Sequence, residues 1–555
     1  MLIRLLVPIA LFAIALPGAA LAQPDAKELN EPTLYELLLG EIAMQRGDYA
    51  LAAKTYLELA RRTGDARVAR RAVEVANEGK LPELALEAAK TWQEIEPKSP
   101  AALQVVAALL VSAKRVDEAE PYLEKLLASE GVDLERAFLQ LNRLLAANPD
   151  KAANLRVVQR LAARHPELAP AQLAIAQAAA AAADDKSALA AARRAAELRP
   201  EWEAPAVMEA QVLQKRSTAE AAKRLAQFVE RNPSSREGRL NYARALILDK
   251  RVPEARKQFE TLLAANPGNT DLIYTIGLLA FQLKDYSVAE DNLKRLVGNE
   301  AYRDPDGARF LLGQIAEEQK QWPRAIEWYE QIQEGDHALN ARLRTANAIA
   351  KQGKLDAARE FLHKVGADNP DQQVQITVAE AQLLRDANRH KEAFQILGEA
   401  LKSEPDQPEL LYDFALTAEK LEKYDLLEQN LRKLIEVRPD HAHAYNALGY
   451  SFAERNTRLR EARELIEQAL KLAPEDYFIV DSLGWVQYRE GDLKGAAETL
   501  RRAYGGRPDA EIGAHLGEVL WVMGDRGEAN RIWQESLKSA PDNETLLKTI
   551  KRLRR

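Results

Sequence analysis

An all-α solenoid of about fifteen consecutive helix-turn-helix units is the fold class this 555-residue sequence predicts. Three observations predict it. Prolines recur at a nearly constant interval, the residues between them repeat one order of small, turn-forming and bulky side chains, and no stretch of a hundred residues is left over for a separate domain.

The prolines come first. Pro166, Pro200, Pro233 and Pro267, then Pro370, Pro405, Pro439, Pro474, Pro508 and Pro541, follow helical patterns with gaps of 33 to 35 residues, apart from one gap of 103 that is close to three periods. The interior repeats in step with them. In Asp481–Tyr504, DSLGWVQYREGDLKGAAETLRRAY, Leu483-Gly484 falls on a first helix, Gly491-Asp492-Leu493 marks a turn, and Ala496, Leu500 and Ala503 follow on a second helix. The order recurs from Leu448-Gly449, with one extra residue in the turn, and from Leu516-Gly517, Leu39-Gly40 and Ile276-Gly277. Glycine or alanine on the first helix and alanine on the second let helices cross closely, while Tyr286, Trp322 and Trp533 are expected to fill the space beside them. One such pair cannot bury its apolar face alone, but stacked neighbours can.

A period near 34 with this order resembles the tetratricopeptide family. That resemblance implies a right-handed superhelix whose first helices line a concave face.

Taken in chain order, residues 1–22 read as a signal peptide. Arg4 gives a positive start, Leu5–Leu16 is apolar, Pro17-Gly18 breaks the run, and Ala20-Leu21-Ala22 fits a cleavage site before Gln23. The alternative is an uncleaved anchor, for which twelve apolar residues are short of the roughly 20 that span a bilayer. Residues 23–32 form an N-terminal extension of the mature chain, and the array runs over 33–541, degenerate around 134–166 and 204–233. The run Ala178–Ala183 reads as closely packed helix. Residues 542–555 form a capping helix: Leu546, Leu547, Ile550 and Leu553 make one apolar stripe, with Lys548, Lys551, Arg552, Arg554 and Arg555 around it.

Composition narrows the function. With 47% hydrophobic and 29% charged residues the chain can bury a large core. The formal charge of −7, or −8 once Arg4 is removed, argues against nucleic acid as the main partner. Cysteine is absent, which excludes disulfides, thiolate metal sites, thiol nucleophiles and the lipidated cysteine of a bacterial lipoprotein. No other long apolar run exists, so the mature chain is expected to be soluble and periplasmic.

Chemistry-bearing motifs are missing. Gly79-Lys80 and Gly353-Lys354 are each followed by leucine, where a phosphate-binding loop needs Ser or Thr. Gly449-Tyr450-Ser451-Phe452-Ala453 lacks the second glycine of a nucleophile elbow and lies within a helix. His441 and His443 form the one close histidine pair, at a unit boundary and without the four-residue spacing that paired ligands on a helix prefer. The reading is no enzyme, no cofactor and no metal.

Binding is expected on one stripe. With the Gly484-type residue numbered position 8, positions 4, 7, 8 and 11 pack within the unit, while positions 2, 5, 9 and 12 make a second stripe on the same helix. By the resemblance, that second stripe lines the concave face. It carries Tyr274, Phe281, Phe310, Tyr412, Tyr450, Phe478, Trp485, Tyr488 and Trp521, with Asp271, Glu317, Glu419, Asp481 and Glu518 interleaved. Aromatic rings without lysine are the composition of a protein-binding surface, whereas packing against the preceding unit is the alternative for each ring. Trp485, Tyr488 and Trp521 are the expected anchors for a protein ligand.

Tyr445–Lys538, with NALGYSFAERN, YFIVDSLGWVQYREGD and HLGEVLWVMGDRGEANRIWQESL, is similar to the carboxy-terminal repeats of a group of large exported proteobacterial proteins. Their best-understood member is a periplasmic adaptor that binds a carboxy-terminal processing protease and presents peptidoglycan hydrolases to it. That adaptor is a lipoprotein, and this chain departs from it in having no cysteine to lipidate. The resemblance implies a non-catalytic scaffold holding a protease, its substrate, or both. The alternative is a structural interaction protein of an exopolysaccharide or envelope secretion complex.

Overall fold

The computed structural model describes residues 31–554. The expected signal peptide and residues 23–30 of the extension lie outside them.

Among the described residues there are 31 α-helices and no strand. They alternate as first and second helices of fifteen successive pairs, with Glu544–Leu553 left at the end. The chain divides into two units, Met1–Leu272 and Ile273–Arg555.

The turn inside most pairs has one geometry, absent between Leu134–Leu145 and Lys151–Ala162 and between Glu203–Gln214 and Thr218–Arg231, and it explains the Gly-Asp signature. The residue at position 15 is left-handed: Gly47, Gly353, Gly491 and Gly524 in four pairs, but Lys80, Lys114, Lys250, Lys284, Lys320, Asn388 and Glu422 in others. The following amide reaches back five residues to the first helix, as Asp492 N to Gln487 O at 3.0 Å, Asp525 N to Leu520 O at 2.9 Å and Gln321 N to Ala316 O at 2.8 Å. This closes the helix end and satisfies its last carbonyls. An aspartate at that next position then opens the second helix. Asp492 accepts from the Gly495 amide at 2.9 Å and Asp525 from the Glu528 amide at 3.1 Å. The extra turn residue after Asn456 is accommodated by a left-handed Arg458.

Packing within a pair rests on small residues facing large ones. Ala52, Ala289, Ala325, Ala462, Ala496 and Ala529, one period apart or a multiple of it, are fully buried. A Cβ added at Gly484 would lie 2.6 Å from Leu500 Cγ, and one at Gly313 2.3 Å from Tyr329 Cε1. The bulky residue opposite each glycine is therefore Leu500, Tyr329, Tyr56 or Trp533. Trp533 fills the space expected of it, whereas Tyr286 and Trp322 open their helices half-buried and leave that role to the residue two turns later.

Two stretches with weak sequence patterns differ in structure. Leu134–Leu145 packs chiefly on Ala169–Ala181, where Asn142 Nδ2 donates to Ala174 O at 2.8 Å, and only lightly on its own partner Lys151–Ala162. Glu203–Gln214 and Thr218–Arg231 pair closely, with buried Glu209 held between Arg193 and Arg224. At the end, Glu544–Leu553 lays Leu546, Ile550 and Leu553 on Ala510–Met523.

Successive second helices are also tied to one another by ion pairs whose arginines are exposed. These include Arg61–Glu87 at 2.7 Å and Arg160–Glu120 at 2.5 Å in the first unit. In the second unit they include Arg324–Glu290 at 3.1 Å, Arg432–Glu461 at 2.5 Å and Arg501–Glu528 at 2.6 Å. Arg458, and then Arg432, hold the Glu428 carboxyl down at about 2.

Candidate partner-binding groove

Four first helices of the second unit carry most of the aromatic stripe: Pro408–Lys420, Ala442–Glu454, Tyr477–Glu490 and Ala510–Met523. Pro408–Lys420 opens on a proline, and the other three start on a side-chain cap. Asp476 accepts from the Phe478 amide at 2.9 Å and Asp509 from the Glu511 amide at 2.8 Å. His441 accepts at Nδ1 from the Ala444 amide at 3.1 Å, so the histidine of the close pair is a helix cap. Among the described residues no group of three or more His, Asp or Glu side chains is arranged to hold a metal ion, and no helix is long and apolar enough to cross a membrane.

The centre of the stripe is a connected polar and aromatic cluster. Trp485 stacks on His515 with ring centroids 4.2 Å apart and donates from Nε1 to Glu454 at 2.8 Å. Its ring is also 5.1 Å from Tyr488, whose hydroxyl donates to Glu518 at 3.2 Å. Arg552 of the last helix donates to the other oxygen of Glu518. His515 Nδ1 faces Asp481 at 2.8 Å, and its Nε2 lies 3.4 Å from the Tyr450 hydroxyl. Thus Tyr450 of one pair and Trp485 and Tyr488 of the next are brought together around His515 of the third.

Charge accumulates there. Burial would pull the His515 imidazole below its ordinary value, but Asp481 foremost, then Glu454 and Glu518, raise it above. Burial, with the carboxylates Glu454, Asp481, Glu511 and Glu419 around it, pushes the Tyr450 hydroxyl well up. Burial likewise raises the Glu419 carboxyl. The hydroxyl–imidazole–carboxylate order of Tyr450, His515 and Asp481 resembles a hydrolase triad. Yet both His515 and Asp481 are buried, and the imidazole lies flat against Trp485, so the arrangement braces neighbouring helices.

The remaining predicted residues sit around or before this cluster. Trp485, at 4% exposed, is part of the wall, while Phe478 is 39% exposed beneath the Arg507 guanidinium at 4.6 Å. Trp521 is half-buried, 5.5 Å from Trp533 and 4.9 Å from the Arg526 guanidinium. Tyr412 meets His441 at 5.4 Å. Tyr274, Phe281 and Phe310 belong to earlier pairs; Phe281 meets Tyr286 at 6.2 Å, and Phe310 lies 5.5 Å from both Tyr329 and His337. Sequence reasoning missed His515 and Glu454. The available signal was the spacing of one period between Asp481 and His515, which places them on adjacent first helices.

The family model described as tetratricopeptide repeat matches residues 37–100, 212–270, 274–338, 412–476 and 453–511, together just over half of the chain. The chain belongs to the tetratricopeptide repeat family. It is 36% identical over 528 residues to the TPR repeat-containing protein PA4667 of Pseudomonas aeruginosa, covering 94% of this chain and 88% of that one. It is 26% identical over 345 residues to cellulose synthase operon protein C of Pseudomonas fluorescens, covering 60% of this chain and 25% of the relative. Among solved structures, a thermophilic tetratricopeptide protein of Thermus thermophilus is 24% identical, with a TM-score of 0.30, over 32% of this chain and 96% of that one. Arrays of this family are scaffolds for protein partners, and the stripe carries nine of this member's 34 aromatic side chains.

Proposed function

We propose that this protein is a non-catalytic periplasmic adaptor whose aromatic and acidic stripe captures protein ligands and presents them, cell-wall hydrolases among them, to a carboxy-terminal processing protease. What carries the reading is the composition of the stripe. Across the sixteen stripe positions of the four helices around Trp485 there are five carboxylates and no lysine or arginine; Asp481 and Glu518 are buried and paired within the protein, while Glu409, Glu419 and Glu511 reach the surface. Such a surface fits a partner segment that carries lysine or arginine beside apolar side chains. Export comes from the reading of residues 1–22, and the protease from the likeness of Tyr445–Lys538 to the adaptor group. The mechanism is raised effective concentration: two proteins held on one array meet more often than in free solution.

The test is reconstitution. Purified chain, a carboxy-terminal processing protease and a cell-wall hydrolase from the same bacterium are mixed, and degradation of the hydrolase is followed by gel. The adaptor reading expects degradation to depend on the chain and to slow when Phe478 and Trp521 are both changed to alanine. Equal degradation with and without the chain would reject the protease role.

A second reading is a structural interaction protein of an exopolysaccharide or envelope secretion complex. The relative named for a cellulose synthase operon favours it, although the chain spans only 25% of that protein's length. Affinity capture from a periplasmic extract distinguishes the two, by recovery of a protease or of polysaccharide-export components.

A further inference from the structure

The first helix, Glu31–Gln45, displays a stripe that later first helices cover. Tyr35, Leu38 and Ile42 occupy positions 3, 6 and 10, counted with Gly40 at position 8. They are 67%, 54% and 47% exposed. The same positions hold Ala171, Ala174 and Ala178 in one later helix, Ala308, Leu311 and Ile315 in another, and Ile512, His515 and Val519 in a third, and all nine are buried. Positions 3, 6 and 10 are therefore the seam on which a unit receives the unit before it. In the first helix the described residues leave that seam open, although its side chains are apolar enough for the interior.

Head-to-tail continuation by another copy is blocked at the far end. Glu544–Leu553 covers Ala510–Met523 with Leu546 fully buried, and turns exposed Lys548 and Lys551 outward. The open seam is, however, complementary to itself. Exposed Glu31 begins the helix, exposed Arg46 follows its last residue, and Leu38 lies midway between them. At 1.5 Å of rise per residue, two such helices crossing antiparallel about Leu38 set Glu31 of each beside Arg46 of the other, with Tyr35, Leu38 and Ile42 between. Such an isologous contact closes at two copies.

We propose that the seam formed by Tyr35, Leu38 and Ile42 is a twofold interface on which a second copy of this chain docks through the same helix. Its apolar centre excludes water, and its two Glu31–Arg46 pairs fix the antiparallel register.

The chain lacks cysteine, so single thiols report the contact cleanly. Residues 23–555 are examined by sedimentation equilibrium and by disulfide trapping under mild oxidation. Leu38→Cys, beside the axis, is expected to give a covalent dimer, and Leu547→Cys at the other end is not. Ile42→Asp is expected to yield a monomer with unaltered circular dichroism. Glu31→Arg or Arg46→Glu alone should weaken dimerisation about tenfold, because each places two like-charge pairs in contact, and the double exchange should restore it to within about threefold. A monomer at every concentration up to about 100 μM overturns the proposal. So does a dimer that Ile42→Asp leaves intact, or one trapped by Leu547→Cys and not by Leu38→Cys.

Discussion

Replacing Gly517 by alanine tests the packing rule of the array at its tightest point. A Cβ there would lie 2.0 Å from Nε1 and 2.5 Å from Cδ1 of Trp533, a ring that is fully buried. Ordinary contact between such atoms needs about 3.4 Å, so the indole must retreat by more than an ångström into its neighbours. Overpacking of this kind costs about 1–3 kcal/mol, and alanine's better helix propensity returns about 1, leaving a net loss of about 1–2 kcal/mol. The same substitution at Gly277, in the same position of another pair, meets only the side chain of Leu293 at 3.2 Å. There the propensity gain wins, and Gly277→Ala should be neutral or stabilising by up to about 0.5 kcal/mol. Hydrogen exchange over Ala510–Met523 and Arg526–Ser539, alongside urea unfolding followed by circular dichroism, reads the two effects locally and globally. Trp533→Leu should suppress much of the Gly517→Ala loss, because leucine is what Gly484 already faces at Leu500. A Gly517→Ala protein that exchanges and unfolds like the parent would refute the idea that these glycines exist for the helix crossing.

Three further outcomes are expected. Lys320→Gly relieves a left-handed lysine at φ 57° and should stabilise by about 0.5–1 kcal/mol in urea unfolding, with no change in helicity. His515 holds its proton more firmly when folded than its ordinary value of 6.5, so its contribution is complete below that pH and is lost as pH rises through the folded value. Hydrogen exchange over Tyr477–Glu490 and Ala510–Met523 should therefore quicken as the pH rises above the ordinary imidazole value of 6.5, more in the parent than in His515→Gln. Changing Phe478 and Trp521 together to alanine should weaken ligand capture about tenfold, measured by calorimetry with a purified ligand, and captured ligand should be released by salt.

The pairs were legible in the sequence because the crossing depends on side-chain size. Gly484, Ala496 and Leu500 state the contact by their volumes alone, and any copy of that order folds alike. The left-handed turn was legible only where glycine fills it. Its geometry is imposed by the amide that reaches back five residues, so Lys284 and Glu422 adopt it without a sequence sign. The candidate site was legible as a stripe and not as a cluster. Helical periodicity places Trp485 and Tyr488 on one face, but whether a ring stands open depends on what its neighbours supply. Glu454 from the pair before and His515 from the pair after enclose Trp485, while Phe478 has only a guanidinium above it. Leu134–Leu145 shows the same limit on a larger scale, because its preference for Ala169–Ala181 follows from which surface is available.

The ion pairs between successive second helices have a mechanical consequence. Each is a tie of up to about 1 kcal/mol whose strength falls as the Debye length contracts from about 10 Å at 0.1 M salt to about 3 Å at 1 M. The seams between first helices, by contrast, are largely buried, so their contacts, the His515–Asp481 pair among them, are screened far less by salt. One side of each junction thus behaves as a fixed hinge and the other as a spring whose stiffness the surrounding electrolyte sets, so the compliance of the array becomes a property of its medium as well as of its sequence.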